Sequence, residues 1–401
     1  MDLTALEAGY RAVEHHPGRP PIDVRLLVAL WLFATIEGVG SARQLARLCT
    51  DHKAYKWLCG GVAVNYHTLA DFSTRHTAWL EEQLTWSVAV LRSAGLVELT
   101  RVGQDGLRVR ASAGAGSFCG ADKLEQAYQE ARQHWQAVQA QARENPGALT
   151  ARRQKAQQRA ARERLERVEE ARRQWRQVEA QREKHKKGDG PQARASTTDP
   201  DARRMKMPDG GFRPAYNVQF ATALSGLVVL GVAATNAGTD AGQMAPMVAQ
   251  VKGRHGVTPQ EWLVDGSYVS GEDITQVTEQ GPTVYVPIKQ EAKKLAEGRD
   301  PYAKTKGDTP AVAAWRQRMG TAEAKAKYKA RGLCEWTNAQ VRGHGLTQVL
   351  VRGLEKVRAV GLWHGLAVNV RRLLSQCRRG ALAEALRRAA GAVRAEVAFG
   401  S

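Results

Sequence analysis

The five cysteines of this 401-residue chain, Cys49, Cys59, Cys119, Cys334 and Cys377, form no Cys-x-x-Cys pair and have no His at metal-ligand spacing. That scatter argues against zinc ribbons and against a disulfide framework, and it suits a reducing compartment. A long hydrophobic run is missing too. The most apolar stretch, Leu26–Ile36, falls short of the ~20 residues that span a bilayer. The charged, Pro-rich segment before it is unlike a signal peptide, so the expectation is a cytoplasmic protein. Acidic residues are in deficit, 40 Asp and Glu against 59 Lys and Arg, for a formal charge of +19. Such an excess attracts polyanions, nucleic acid foremost. A merely solvated basic surface, or ribosome or membrane-surface binding, is the alternative.

The length allows two or three domains, each with its own core. Residues 1–95 read as an N-terminal helical domain. Pro20-Pro21-Ile22-Asp23 starts a helix, Val24–Ile36, that is apolar nearly all round and therefore buried. Gly38 and Gly40 break it, and Ser41 caps a second, amphipathic helix, Ala42–Cys49. A short helix His52–Leu58, a turn at Gly60-Gly61, a helix Leu69–His76 entered from Asn65, and a long helix Trp79–Ser93 follow. Arg43, Arg47, Lys53 and Lys56 fit a helix-turn-helix that reads DNA, or a plain bundle with solvated cations.

From Leu96 the pattern changes to short apolar strands. They are Leu96–Gln104, Tyr216–Ala223, Leu227–Ala234, Trp262–Val264 and Thr283–Ile288. Helices are expected over Ala241–Val251 and Gly271–Glu279, which makes an α/β core of residues 96–121 and 190–375. Residues 122–189 interrupt it. Leu124, Tyr128, Ala131, Trp135, Val138 and Ala142 alternate steps of four and three, the seam of a coiled coil. Asn145-Pro146-Gly147 breaks the helix, and Ala161, Leu165, Val168, Trp175 and Val178 line a second arm. The result is a basic antiparallel helical hairpin, either laid along a DNA backbone or serving as spacer or dimer contact. Lys289–Lys329 reads as loop and helix, Gly345–Leu374 as buried helix, and residues 376–401 as a basic C-terminal helix.

Three acids stand out. Asp105 and Asp265 each follow an apolar run, and each precedes a glycine, so either could simply open a turn. Glu335 lies on an expected helix inside Tyr328-Lys-Ala-Arg331-Gly-Leu-Cys-Glu335, with Arg342 beyond. Phosphodiester chemistry needs an attacking oxygen, an in-line leaving oxygen and cations that hold both, and two divalent ions ~3.5–4 Å apart meet that need. Mg²⁺ takes a few carboxylates plus water and phosphate. Two strand-end aspartates and a helical glutamate would supply them. Trp315 and Trp336 flank this region and suit either core packing or stacking on an unpaired base. Asp240 reads as a helix N-cap, Tyr216 and Asn217 as a strand start, and His67 and His344 as surface or core residues.

The spacing Tyr328, Arg331, Glu335, Arg342 resembles the Tyr-Arg-Glu-Lys signature around the catalytic glutamate of bacterial insertion-sequence transposases of the Asp-Asp-Glu type. Other segments resemble that family in order along the chain: Pro17–Pro20, Trp57–Gly61, Gln104–Ser112, Asp209–Asn217, Leu263–Gly266 and Val351–Val357. The resemblance implies a ribonuclease-H-like mixed sheet with an N-terminal helical domain. It implies two Mg²⁺ ions, replaceable by Mn²⁺, on Asp105, Asp265 and Glu335 as the catalytic and metal-binding triad. Tyr328, Arg331 and Arg342 would contact DNA, although Arg342 stands where the family has Lys, a fork in place of a point charge. The implied activity is cleavage of double-stranded DNA at element ends and joining to a target, by a homodimer on DNA. A non-catalytic DNA-binding remnant and a metal-dependent nuclease of the same fold are the other readings.

Overall fold

The structure, a computed structural model, describes residues 3–7, 22–144, 150–378 and 380. Three expected features lie outside the described residues: the Pro17–Pro21 lead-in, the Asn145–Gly147 break and the C-terminal helix beyond residue 380. In chain order the elements begin with α1 (Thr4–Glu7), α2 (Val24–Ile36), α3 (Ala42–Asp51), α4 (Lys53–Leu58), α5 (Tyr66–Arg75) and α6 (Thr77–Ser93). Then come β1 (Arg101–Arg110), β2 (Phe118–Cys119), α7 (Ala121–Glu144), α8 (Ala151–His185), β3 (Ala195–Ser196), β4 (Arg203–Lys206), β5 (Phe212–Ala223) and β6 (Val228–Thr235). The chain continues through α9 (Met244–His255), β7 (Glu261–Leu263), α10 (Gly271–Glu279), β8 (Thr283–Tyr285), α11 (Glu291–Ala296), α12 (Pro310–Met319), α13 (Ala322–Tyr328), α14 (Cys334–Gly343) and α15 (Leu354–Arg378). No helix among the described residues is long and apolar enough to cross a membrane.

The chain divides into two compact units. The first takes residues up to Leu107, Asn217–Thr347 and Glu355 onward; the second takes Arg108–Tyr216 and Gln348–Leu354. In the first, α2 buries Val24, Leu27, Val28, Leu30, Trp31, Ala34 and Thr35, which an apolar surface nearly all round requires. Asp23 caps α2 by accepting from the Arg25 amide, and the Ser41 hydroxyl caps α3 by accepting from that of Gln44. Both caps satisfy amides that the first helical turn leaves free.

The sheet of this unit is mixed. Its order is β5-β1-β7-β8, with β6 also on β5. β7 runs parallel to both β1 and β8, while β6 is antiparallel to β5 with an irregularity at Ala221/Thr222. One core covers it, formed by Val102, Trp262, Leu263, Val284, Val248, Ile274, Trp315 and their neighbours. Burying each such large side chain contributes roughly 1.5–3 kcal/mol.

The first strand departs from expectation in a way that matters. It spans Arg101–Arg110 rather than Leu96–Gln104, so Asp105 sits within the strand and does not close it. Gly95, at φ 67, ends α6, and the Leu96 amide folds back onto the Leu91 carbonyl, 2.9 Å. The apolar residues after α6 are thus spent on the turn. Beyond Asp105-Gly106 the buried Leu107 and Val109 continue the strand alternation, which overrides the turn tendency of Asp-Gly. Other departures are smaller. β4 is additional, α9 starts at Met244, Lys289–Lys329 holds three helices, and the last helix starts only at Leu354.

In the second unit α7 and α8 lie side by side. Gln154 donates to the Ala142 carbonyl, and Arg164 and Arg172 pair with Glu130 and Glu125. Rising numbers on one helix meet falling numbers on the other, so the pair is antiparallel. Leu124 and Ala131 of α7, and Ala161, Val168 and Ala171 of α8, are buried, all but Ala171 at the expected seam positions. β4 pairs antiparallel with the start of β5.

Candidate functional site

Three separate elements deliver the three acids. Asp105 is carried by β1, flanked by the buried Gln104 and Leu107. Asp265 follows β7 and caps a single 3-10 turn, Gly266–Tyr268, its Oδ1 accepting from the Ser267 amide at 2.7 Å. Glu335 lies in the first turn of α14. That helix buries Cys334, Thr337, Asn338 and Val341, the i, i+3, i+4, i+7 face of a helix seated on a core. Thr222 of β5 donates to Thr337 Oγ1 at 3.0 Å. Glu335, one residue off that face, is left 69% exposed.

One guanidinium joins the three. Arg331 Nη2 lies 3.2 Å from Asp105 Oδ2 and 3.6 Å from Asp265 Oδ2, and Nη1 lies 3.0 Å from Glu335 Oε1. The family resemblance implied a DNA contact for Arg331; here its side chain, 16% exposed, is committed to the acids. Burial would lower its pKa, yet Asp105 and Asp265 raise it. Arg331 Nε makes no hydrogen bond.

A fourth carboxylate completes the cluster. Asp240 does not cap a helix, since α9 begins after Gln243. Its Oδ1 accepts from Asn217 Nδ2 at 2.6 Å and Gln219 Nε2 at 2.8 Å. Ser267 Oγ faces Asp240 Oδ2 at 2.9 Å and also Asp265 Oδ1, so one hydroxyl proton serves two carboxylates. Behind lies a buried relay. Trp262 Nε1 donates to Gln104 Oε1, Gln104 Nε2 donates to Gln219 Oε1, and Tyr268 OH donates to the same oxygen. Gly106 is required where this network touches β1: a Cβ there would stand 2.5 Å from both Asp240 Oδ1 and Gln219 Nε2.

The charges do not balance, four carboxylates against one guanidinium. The Asp105 pKa rises accordingly to about 6, chiefly through burial, with Asp265 and Asp240 adding to it and Arg331 and the Gly106 amide opposing it. Burial also pushes the Tyr268 hydroxyl well up, reinforced by the same aspartates. Asn217 Oδ1 is buried without a donor. Among the described residues, no three His, Cys, Asp or Glu side chains are placed to share one ion.

The other expected site residues fall around this cluster or away from it. Tyr328 is half-buried against the core, and burial raises its pKa. Arg342, two turns beyond Glu335 on the same helical face, is exposed and joins none of the cluster's ion pairs. Trp315 is core, its Nε1 donating to the Val286 carbonyl, whereas Trp336 lies under the Arg372 guanidinium, 4.1 Å from the ring centroid. His344 is buried and His67 exposed. Tyr216, in the second unit, is buried and donates to Asp199 at 2.6 Å.

Sequence reasoning missed Arg331 as the hub, and Asp240, Gln219 and Gln104 as its support. One signal was available. Asn217 and Gln219 stand at i and i+2 of a buried strand between the apolar Ala215 and Ala221 of the same face, which puts two amides on one face.

In the N-terminal helices Arg43, Arg47, Lys53 and Lys56 are all exposed or partly so. Trp57 is 83% exposed beside them. Residues 1–75, which contain these helices, match the family described as Transposase domain (DUF772). That similarity supports a transposase, a DNA-processing enzyme. No curated protein and no solved structure matches the chain.

Proposed function

We propose that this chain is a DNA transposase that cuts at element ends and joins them to a target, with Asp105, Asp265 and Glu335 holding two divalent ions. The observation that carries the proposal is the convergence of those acids, from a strand, a strand end and a helix, on the single guanidinium of Arg331. The match of residues 1–75 to a transposase domain supplies the class. The core is proposed to be ribonuclease-H-like. Support comes from an antiparallel β5–β6 pair beside the parallel β1, β7 and β8.

Carboxylate oxygens are the donors that hard cations such as Mg²⁺ and Mn²⁺ prefer. The excess of acid over base in the cluster favours a cation there, so the residues fit the ions by chemistry. When bound, such ions would neutralise charge on the scissile phosphate and lower the pKa of the attacking water or hydroxyl. The protein's own contribution is positioning. Asp240 fixes Ser267, which turns Asp265. The α14 face on the core fixes Glu335. Arg331 holds the acids together in the free protein and, released from them, could pair with a phosphate through its fork. Tyr328 and Arg342 would lie along the same DNA strand, and the DNA-bound homodimer belongs to this proposal.

The test is strand cleavage on DNA carrying the element's own ends, in Mg²⁺, Mn²⁺ or EDTA, with Asp265→Asn beside the parent. Metal-dependent cuts at the ends that vanish in Asp265→Asn are expected. Tight binding without cleavage in any metal would replace the proposal with a binding protein, and cleavage without joined products would make it a nuclease.

A further inference from the structure

We infer that the distal half of the α7–α8 hairpin is an arm that grips the DNA phosphate backbone, while its proximal half is structural. The choice of DNA rests on the function proposed above; the division of the hairpin does not.

Charge is segregated along the two helices. From Ala131 to Arg143 and from Ala151 to Arg162 there is no Asp or Glu. Arg132, Arg143, Arg152, Arg153, Lys155 and Arg159 are all exposed there, and none joins an ion pair among the described residues. The proximal half is built differently. Glu125, Glu130, Glu166 and Glu170 take up Arg172, Arg164, Arg162 and Arg173. Ion pairs thus hold the two helices together toward their base and are absent, among the described residues, toward their tip.

The free cations have a direction. Arg152, Lys155 and Arg159 stand at i, i+3 and i+7 and share one face of α8. Gln154, Gln158 and Ala161, on the other side, are at least partly buried, and Gln154 reaches the Ala142 carbonyl of α7. The stripe therefore points away from the partner helix. At 1.5 Å per residue it runs about 10 Å, roughly three steps of ~3.4 Å along one DNA strand. Like charges at these spacings destabilise a helix standing free. A solvated face would be better served by the alternating Glu and Arg of the proximal half. A row of unpaired cations is relieved when phosphates neutralise it.

The experiment uses the full-length protein and a fluorescent duplex in EDTA, with anisotropy read over a range of salt concentrations. Three proteins are compared: the parent, the triple variant Arg152→Gln/Lys155→Gln/Arg159→Gln, and the proximal control Arg167→Gln/Arg176→Gln. Glutamine keeps helix propensity, and far-ultraviolet circular dichroism verifies that the helices persist. Each phosphate contact contributes about 0.9 to the slope of log K against log salt. The triple variant should lose about 2 to 3 in slope and bind at least tenfold more weakly at low salt, while the control keeps the parental slope. Equal slopes in parent and triple variant would overturn the inference, as would equal losses in triple variant and control. A triple variant that changes sedimentation from dimer to monomer with an intact slope would make the arm a subunit contact instead. Because the readout is binding and not cleavage, a catalytically inert chain still tests the arm.

Discussion

Arg331 Nη2 lies 3.2 Å from Asp105 Oδ2, and both side chains are nearly out of solvent, at 16% and 15% exposure. The arginine does the work of a counter-ion for acids that would otherwise repel one another.

Removing it should therefore expose the repulsion. Arg331→Gln is expected to lose about 3 kcal/mol of stability in EDTA, the usual cost of stripping one partner from a buried ion pair. Excess Mg²⁺ should restore part of that loss by binding the native state, and should stabilise the variant more than the parent. Urea unfolding with and without Mg²⁺ checks this, and identical curves for variant and parent would contradict it.

Asp240 is expected to matter although no motif marks it. In Asp240→Asn one amide oxygen can still accept from Asn217 and Gln219, but the new NH₂ faces Ser267. A loss of about 1–2 kcal/mol follows from weakened charge-assisted bonds. A double-mutant cycle with Ser267→Ala should give a coupling energy clearly different from zero, whereas additive effects would mean that the two do not act through one hydrogen bond.

Gly103 sets where α14 can sit. A Cβ at this position of β1 would stand 1.9 Å from Cys334 Sγ, so Gly103→Ala must push the helix start, and Glu335 with it, off the strand. We expect about 1–3 kcal/mol of destabilisation from this overpacking and a sharp fall in cleavage. Adding Cys334→Ala removes the sulfur and should recover much of both. A double variant no better than Gly103→Ala would show that the clash is relieved elsewhere.

His344 makes stability depend on pH in a predictable direction. Burial, aided by Arg371 and His364, lowers its pKa from 6.5 to about 4. Its Nε2 accepts from Arg371 at 2.8 Å, a bond the protonated ring cannot make. The folded state therefore resists protonation that the unfolded state accepts. The stabilisation is complete above pH 6.5 and is lost as pH falls from 6.5 through about 4. It is worth about 3 kcal/mol at most at 1.36 kcal/mol per unit. Urea titrations of the parent and His344→Gln across that window should diverge, the parent falling more steeply; parallel curves would remove His344 as the cause.

Much of the secondary structure was written locally. Asp23, Ser41 and Asn65 are short polar side chains ahead of helices, and each accepts from an amide of the first turn. The seam of α7 and α8 followed from apolar spacing alone. The first strand was misplaced because Asp105-Gly106 looks like a turn in isolation. Pairing with β5 as well as β7, and the burial of Leu107 and Val109 beyond the glycine, carry the chain straight through.

By itself, then, the sequence determined the strong positive charge, the helix caps and the hairpin seam, because these depend on composition and on near neighbours. Tertiary structure decided which groups meet. Sheet order brings β1 beside β7, and the buried face of α14 turns Glu335 toward them. Arg331 consequently faces the acids, and Asp240, distant in sequence from each of them, becomes part of their cluster. Spacing along the chain carries no record of those encounters, because sheet order and register alone place residues from distant strands and helices side by side.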